Sequence, residues 1–144
     1  MSVMDRAHIE RLIPHRPPFL WVDEVTELGE RRLKARKRVD PQLDVFAGHY
    51  PHFPVLPGVL LCEAAFQAGA ILIAATAPPA DGQVPVVTRV NDVKFRRMVR
   101  PGEVLDIDIE LTEQLAGAFF LTGRVSVAGE TAVRLEFACT AVAP

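Results

Sequence analysis

VLLCEAAFQAGAILIAATA, from Val59 to Ala77, decides the fold, because Glu63, Gln67 and Thr76 are its only polar members. A run of this length approaches that of a membrane-spanning helix. Its flanks, Pro57-Gly58 and Pro78-Pro79, lack the anchors of a span, and the run is rich in small residues. The rest of the chain builds strands that need something apolar to cover. A helix apolar on nearly all sides then reads as one buried within the fold, and no membrane span is expected. Pro57 reads as its first residue and Gly58 as its second, since the proline ring presets φ and its missing N–H is unpaired there anyway. The Pro78-Pro79 pair ends it.

Downstream of Val84 the period changes from helical to two. Leu105, Ile107, Ile109 and Leu111 alternate with Asp106, Asp108, Glu110 and Thr112, which is the pattern of a half-buried antiparallel strand. Phe119, Leu121, Val125 and Val127 repeat it, as do Val133, Leu135, Phe137 and Cys139. Gly102 and Gly129 supply turns, and Gly117 falls early in the third of these strands. Upstream, the chain predicts a short helix at Asp5–Leu12, strands near Phe19–Leu28 and Arg31–Val39, and a Pro/Gly-rich loop from Asp40 to Gly58. One helix cannot cover both faces of such a sheet. The expected architecture is α+β, a curved antiparallel sheet wrapped around one long hydrophobic helix, with residues 1–144 as a single domain.

Composition narrows the function classes. With 144 residues, 49% of them hydrophobic, the chain can bury one sizeable core and is not a disordered polymer. Eighteen acidic against sixteen basic residues give a formal charge of −2, so no overall basic field points to nucleic acid. Cys62 and Cys139 lie in apolar surroundings, and MSVMDRAHIERL has no apolar run of the kind a secretory signal needs, which together predict a reducing cytoplasm. The four histidines and two cysteines lack the spacing of a structural zinc site, so no metal and no cofactor is expected.

The chemistry concentrates between Gly48 and Gln67. In Gly48-His49-Tyr50-Pro51-His52-Phe53-Pro54-Val55-Leu56-Pro57-Gly58, prolines stiffen the loop and hold His49 in place, and a fixed, largely neutral imidazole suits a base. Glu63 and Gln67, four residues apart, share one helix face. Desolvation disfavours a carboxylate there, and a carboxyl kept protonated can donate a proton. The structural alternative has Glu63 facing solvent or capping a loop amide, with Gln67 as its hydrogen-bond partner. Backbone N–H groups at Gly58 and Val59, at the positive end of the helix dipole, suit a developing oxyanion.

The stretch Gly48–Gln67 resembles the signature GHFP-x-x-P-x-x-PG-V-L-x-x-EA-x-x-Q of the (3R)-hydroxyacyl-[acyl-carrier-protein] dehydratases of FabZ type. Two further segments agree: His15-Arg16-Pro17-Pro18-Phe19-Leu20-Trp21-Val22-Asp23 is similar to HRYPFLLVD, and Val93–Glu103 is similar to V-x-F-RRPVVPGD. The resemblance implies the hotdog fold, dimers with joined sheets, often assembled as trimers of dimers, and sites at the dimer interface. It further implies that His49 of one subunit faces Glu63 of the other. His49 would take a C2 proton from a 3-hydroxyacyl thioester, Glu63 would assist departure of the C3 hydroxyl, and the Gly58 N–H would bind the thioester carbonyl. The partner would be an acyl carrier protein.

Departures from the pattern bear on specificity. Tyr50 stands where the family has Phe, His52-Phe53 replace a Gly-led pair, and Met98 and Arg100 differ from the RRPVVPGD segment. His52 reads as a solvent-exposed loop histidine, with a second base as the alternative. Phe66 occupies a position usually small in this type, so its ring is expected to reshape the acyl tunnel. Glu63 in place of Asp argues against the isomerase activity of the related dehydratase-isomerases. Of two basic clusters, Arg31–Arg38 reads as a solvated strand face, whereas Lys94, Arg96, Arg97 and Arg100 are expected to contact the acidic carrier protein. The rival readings are a hotdog acyl-thioesterase, with Glu63 activating water or attacking the acyl carbon, and a non-catalytic acyl-binding subunit.

Overall fold

The computed structural model describes residues 2–144. A short helix α1 (Arg6–Leu12) is followed by β1 (Glu24–Leu28), β2 (Arg32–Arg38), a four-residue helix α2 (Val45–Gly48) and the long helix α3 (Gly58–Thr76). Four strands complete the chain: β3 (Val84–Phe95), β4 (Val104–Leu115), β5 (Ala118–Val127) and β6 (Glu130–Val142). All six form one sheet in the order β1-β2-β4-β5-β6-β3, every neighbouring pair antiparallel. The expected α+β architecture is the one observed, with α3 packed against β2, β3, β4, β5 and β6.

The strands form because their alternation is faithful to a single buried face. Leu105, Ile107, Ile109 and Leu111 of β4 face the helix, as do Phe119, Leu121 and Val125 of β5 and Leu135, Phe137 and Cys139 of β6. The hairpins β4-β5 and β5-β6 turn on Ala116-Gly117 and Ala128-Gly129, where both residues have positive φ, the two-residue geometry whose twist matches that of the strands. Gly117 therefore makes the turn rather than entering β5, because the chain needs φ +90° there.

On α3, most residues from Leu61 to Ile73 are buried. A helix apolar on all sides is satisfied here by sheet on one side and by the segment Leu20–Val22 and α1 on the other, which is a core position despite a length and composition sufficient for a bilayer. Gly69 permits the approach of β6, since a Cβ there would stand 2.9 Å from the Phe137 ring.

Several boundaries differ from the sequence expectation. Pro57 caps α3 with ψ 133° and Gly58 is its first residue. The first strand starts at Glu24, not at Phe19, because Trp21 N–H donates to the Gln67 side chain (2.7 Å) instead of to a neighbouring strand. Within the Pro/Gly-rich loop, Val45–Gly48 closes one helical turn that no periodicity announces.

The two sheet edges are unlike. β1 has five residues, carries Glu24 and Glu27, and is bulged between Val25 and Glu27. β3 has twelve, and Val86, Val87, Val90, Val93 and Phe95 along it are all exposed. A long apolar edge with unpaired backbone groups is a template for another strand.

Candidate active site

Glu63 sits in the second turn of α3 and faces a cavity of about 340 Å³, lined also by Phe66, Ala70 and Ala74 of α3, His15 after α1, Val84–Val87 of β3, and Cys139. The carboxyl is neither in open solvent nor sunk in the core, its side chain being 22% exposed. Gln67, one turn on, is 1% exposed. Its Oε1 accepts the Trp21 N–H (2.7 Å), and its amide donates to Phe19 O (2.8 Å) and Glu63 Oε2 (2.9 Å). Gln67 is thus the hydrogen-bond partner that the helical spacing allowed, but its polar atoms are spent inside the chain. It reaches a ligand only through Glu63. Phe66 meets Phe137 edge to face at 5.1 Å and forms part of the cavity wall.

His15 is the residue that sequence reasoning passed over. Its Nε2 lies 3.8 Å from Glu63 Oε2, and its Nδ1 is buried without a partner. The signal was available in the quoted segment His15–Asp23, but no local spacing links it to Glu63, 48 residues away.

His49 follows α2 and is half-buried. Its Nδ1 lies 2.8 Å from Val55 O. A carbonyl only accepts, so Nδ1 carries a proton, and in the neutral tautomer that this bond selects the lone pair is on Nε2, the form a general base requires. The ring packs edge-on against Tyr50 at 4.7 Å. Tyr50 itself has φ 52°, a left-handed conformation disfavoured for a side-chain-bearing residue and held here between His49 and Pro51. His52 and Phe53 are exposed. Arg100 lies over the Phe53 ring at 4.3 Å, and Leu56 N–H donates to Val99 O (2.8 Å), so the segment 97–103 props the loop from behind.

Within one chain these groups do not converge. The cavity that holds Glu63 includes neither His49 nor Gly58. At the tip of α3 a Cβ on Gly58 would stand 2.7 Å from the Phe95 ring, while Val59 beside it is exposed. A larger depression, about 680 Å³, lies on the outer face of the sheet and is lined mainly by charged residues such as Lys94, Arg96, Arg124 and Arg134. It holds none of His49, Gly58 or Glu63, so its size does not make it the reaction site.

The four basic residues from Lys94 to Arg100 also separate. Arg97 is bound by both Glu103 oxygens (3.0 and 2.9 Å) and approaches Glu130 at 3.7 Å. That hydrogen bond from Arg97 holds the Glu103 carboxyl below its ordinary range. Lys94, Arg96 and Arg100 are exposed. Burial pushes the Cys139 thiol up to about 12, and burial followed by the Glu63 charge raises that of Cys62, so neither is a ready nucleophile.

Residues 13–136 match the family model described as a FabA-like domain. The chain is 39% identical over 139 residues to the 3-hydroxyacyl-[acyl-carrier-protein] dehydratase FabZ of Anaeromyxobacter dehalogenans, covering 94% of this chain and 89% of that one. To the FabZ dehydratase of Syntrophotalea carbinolica it is 41% identical over 129 residues, covering 89% and 88%. Among solved structures, the dehydratase heterocomplex ApeI:P from Xenorhabdus doucetiae superposes with a TM-score of 0.75 at 20% identity, covering 92% of this chain and 89% of that one. A hypothetical thioesterase from Streptococcus pneumoniae superposes at 0.66 with 12% identity, over 83% and 85%. Both share the fold, a curved sheet around one helix.

Proposed function

The chain belongs to the FabA-like family, among the FabZ-type dehydratases, and from that premise we propose that it dehydrates (3R)-3-hydroxyacyl thioesters of acyl carrier protein to trans-2-enoyl thioesters in fatty acid or related lipid synthesis. His49 Nε2 removes a proton from C2. The electron pair left behind forms the C2=C3 bond as the C3–O bond breaks, and Glu63 gives its proton to the departing hydroxyl, which leaves as water. The proton on His49 returns to Glu63 through solvent, so the enzyme ends unchanged. Enolate-like charge on the thioester oxygen is met by the Gly58 N–H at the positive end of α3.

The observation that carries this reading is the incompleteness of the single chain. Glu63 looks into a cavity bordered by Val84–Val87 of β3, the exposed apolar edge strand, while the uncommitted Nε2 of His49 has no acid in the same cavity. Pairing β3 with its copy in a second chain covers the apolar edge, joins the two sheets and brings the His49 loop of one subunit to the Glu63 cavity of the other. A homodimer is then the catalytic unit, and trimers of dimers are compatible with it. Phe66 limits the depth of the acyl slot. The carrier protein, acidic and bearing its substrate on a phosphopantetheine arm, meets Lys94, Arg96 and Arg100, whereas Arg97 serves the fold. Buried free thiols suit a cytoplasmic setting.

The test is to incubate the protein with 3-hydroxybutyryl and longer 3-hydroxyacyl carrier-protein thioesters and follow product. Enoyl thioester is expected; free thiol identifies a thioesterase instead, and no turnover an acyl-binding subunit. His49→Ala and Glu63→Gln should each lower kcat about 100- to 10,000-fold, the usual worth of a general base or acid. Wild-type rates in both variants overturn the site assignment.

A further inference from the structure

Gln67 is not the sole group bearing on the Glu63 carboxyl. We propose that His15 is a second positioning residue for the reaction, an N–H donor that directs the Glu63 proton into the slot and receives the carboxylate charge once that proton has gone; this rests on the dehydratase reading above.

Three observations carry it. His15 Nε2 is 3.8 Å from Glu63 Oε2, the same oxygen that accepts the Gln67 amide at 2.9 Å. His15 and Glu63 line one cavity. The other ring nitrogen, Nδ1, is buried with no partner.

The third observation settles the tautomer. An orphaned buried N–H costs more than an orphaned lone pair, so the proton belongs on Nε2, where Glu63 stands, and Nδ1 is left as the bare acceptor. His15 thus presents an N–H to a carboxyl oxygen.

A separation of 3.8 Å is too long for a hydrogen bond. Contacts to a catalytic group commonly tighten only in the reacting complex, and here tightening has a cause. While Glu63 is protonated, Oε2 is a weak carbonyl acceptor already served by Gln67. Its proton then sits on Oε1, away from both N–H donors. After transfer to the leaving hydroxyl, the carboxylate draws the His15 N–H to Oε2, and a donor to an ionised group is worth about twice a neutral one. The gain therefore appears in the transition state and not in substrate binding, which places it in kcat.

The conservative replacement is Gln, whose terminal amide reaches about as far as Nε2. His15→Leu should lower kcat about tenfold, the size of one charge-assisted hydrogen bond, with KM within about twofold of wild type. His15→Gln should restore kcat to within about threefold of wild type. Melting temperature and dimer content of both are measured alongside. If the Leu variant does not fold, His15→Met, longer and also without a donor, replaces it in the same comparison. Equal kcat in wild type and the donor-less variant overturns the inference, as does a Gln variant as slow as the donor-less one while equally folded. Absence of enoyl product from the wild-type protein is the separate failure that sinks the dehydratase reading itself.

Discussion

Glu63 and His49, the proposed acid and base, are held in different ways. Glu63 stands on a buried helix and is held from inside the chain: Gln67 fixes it, and Trp21 N–H and Phe19 O fix Gln67. His49 stands on a loop with one ring bond, to Val55 O, and its neighbours Tyr50, His52 and Phe53 are exposed. The core finishes the first, and under the proposed pairing of β3 a second copy would complete the other. The difference teaches that one chain preorganises the two proposed catalytic groups unevenly. The group whose hydrogen bonds close over the core is fixed within one chain, whereas the group on the stiffened loop has a single ring bond.

Subunit mixing tests that division with the largest signal. His49→Ala and Glu63→Gln proteins, each inactive alone, should regain about a quarter of wild-type activity when unfolded and refolded together. Half the dimers are then mixed, and each mixed dimer carries one intact site of two. No recovery, with mixed dimers demonstrated by a tag on one variant, places both residues in one chain and removes the shared site.

A second test weakens the core-held half alone. Gln67→Leu strands the buried Trp21 N–H and the Phe19 carbonyl, so it should cost about 2–3 kcal/mol of stability in denaturant unfolding, besides loosening Glu63. Unchanged stability would mean that the network is not what holds the carboxyl.

The smallest effect probes the support of the His49 loop. Glu103 receives Arg97 and the Arg100 N–H, and Arg100 covers Phe53. Because Arg97 lowers the Glu103 pKa from its ordinary 4.5, the associated stability is present above that value and lost as pH falls through the lower folded one. Wild type should therefore lose more stability between pH 7 and pH 3 than Arg97→Ala does, read as the shift in denaturant midpoint. Identical shifts would show that the pair does not contribute.

Much of this was legible in the chain. The all-round apolar Val59–Ala77 demands burial, the alternation in Leu105–Leu111 demands a one-faced sheet, and Glu63 and Gln67 at a spacing of four must share a helix face. These are consequences of local sterics and of solvent, which act on neighbouring residues whatever the rest of the chain does. Two errors were also local, Pro57 as cap rather than first helical residue and Gly117 as turn rather than strand. Other features exist only because distant segments meet. Trp21 spends its N–H on Gln67, which stops β1 short; His15 comes to Glu63; Arg97 approaches Glu130; and β3 is left as the bare edge. Sequence periodicity carries one face and one period, not the order in which strands close around a helix. Hydrogen bonds between groups more than forty residues apart, such as Trp21 to Gln67, are set by how the elements close on one another.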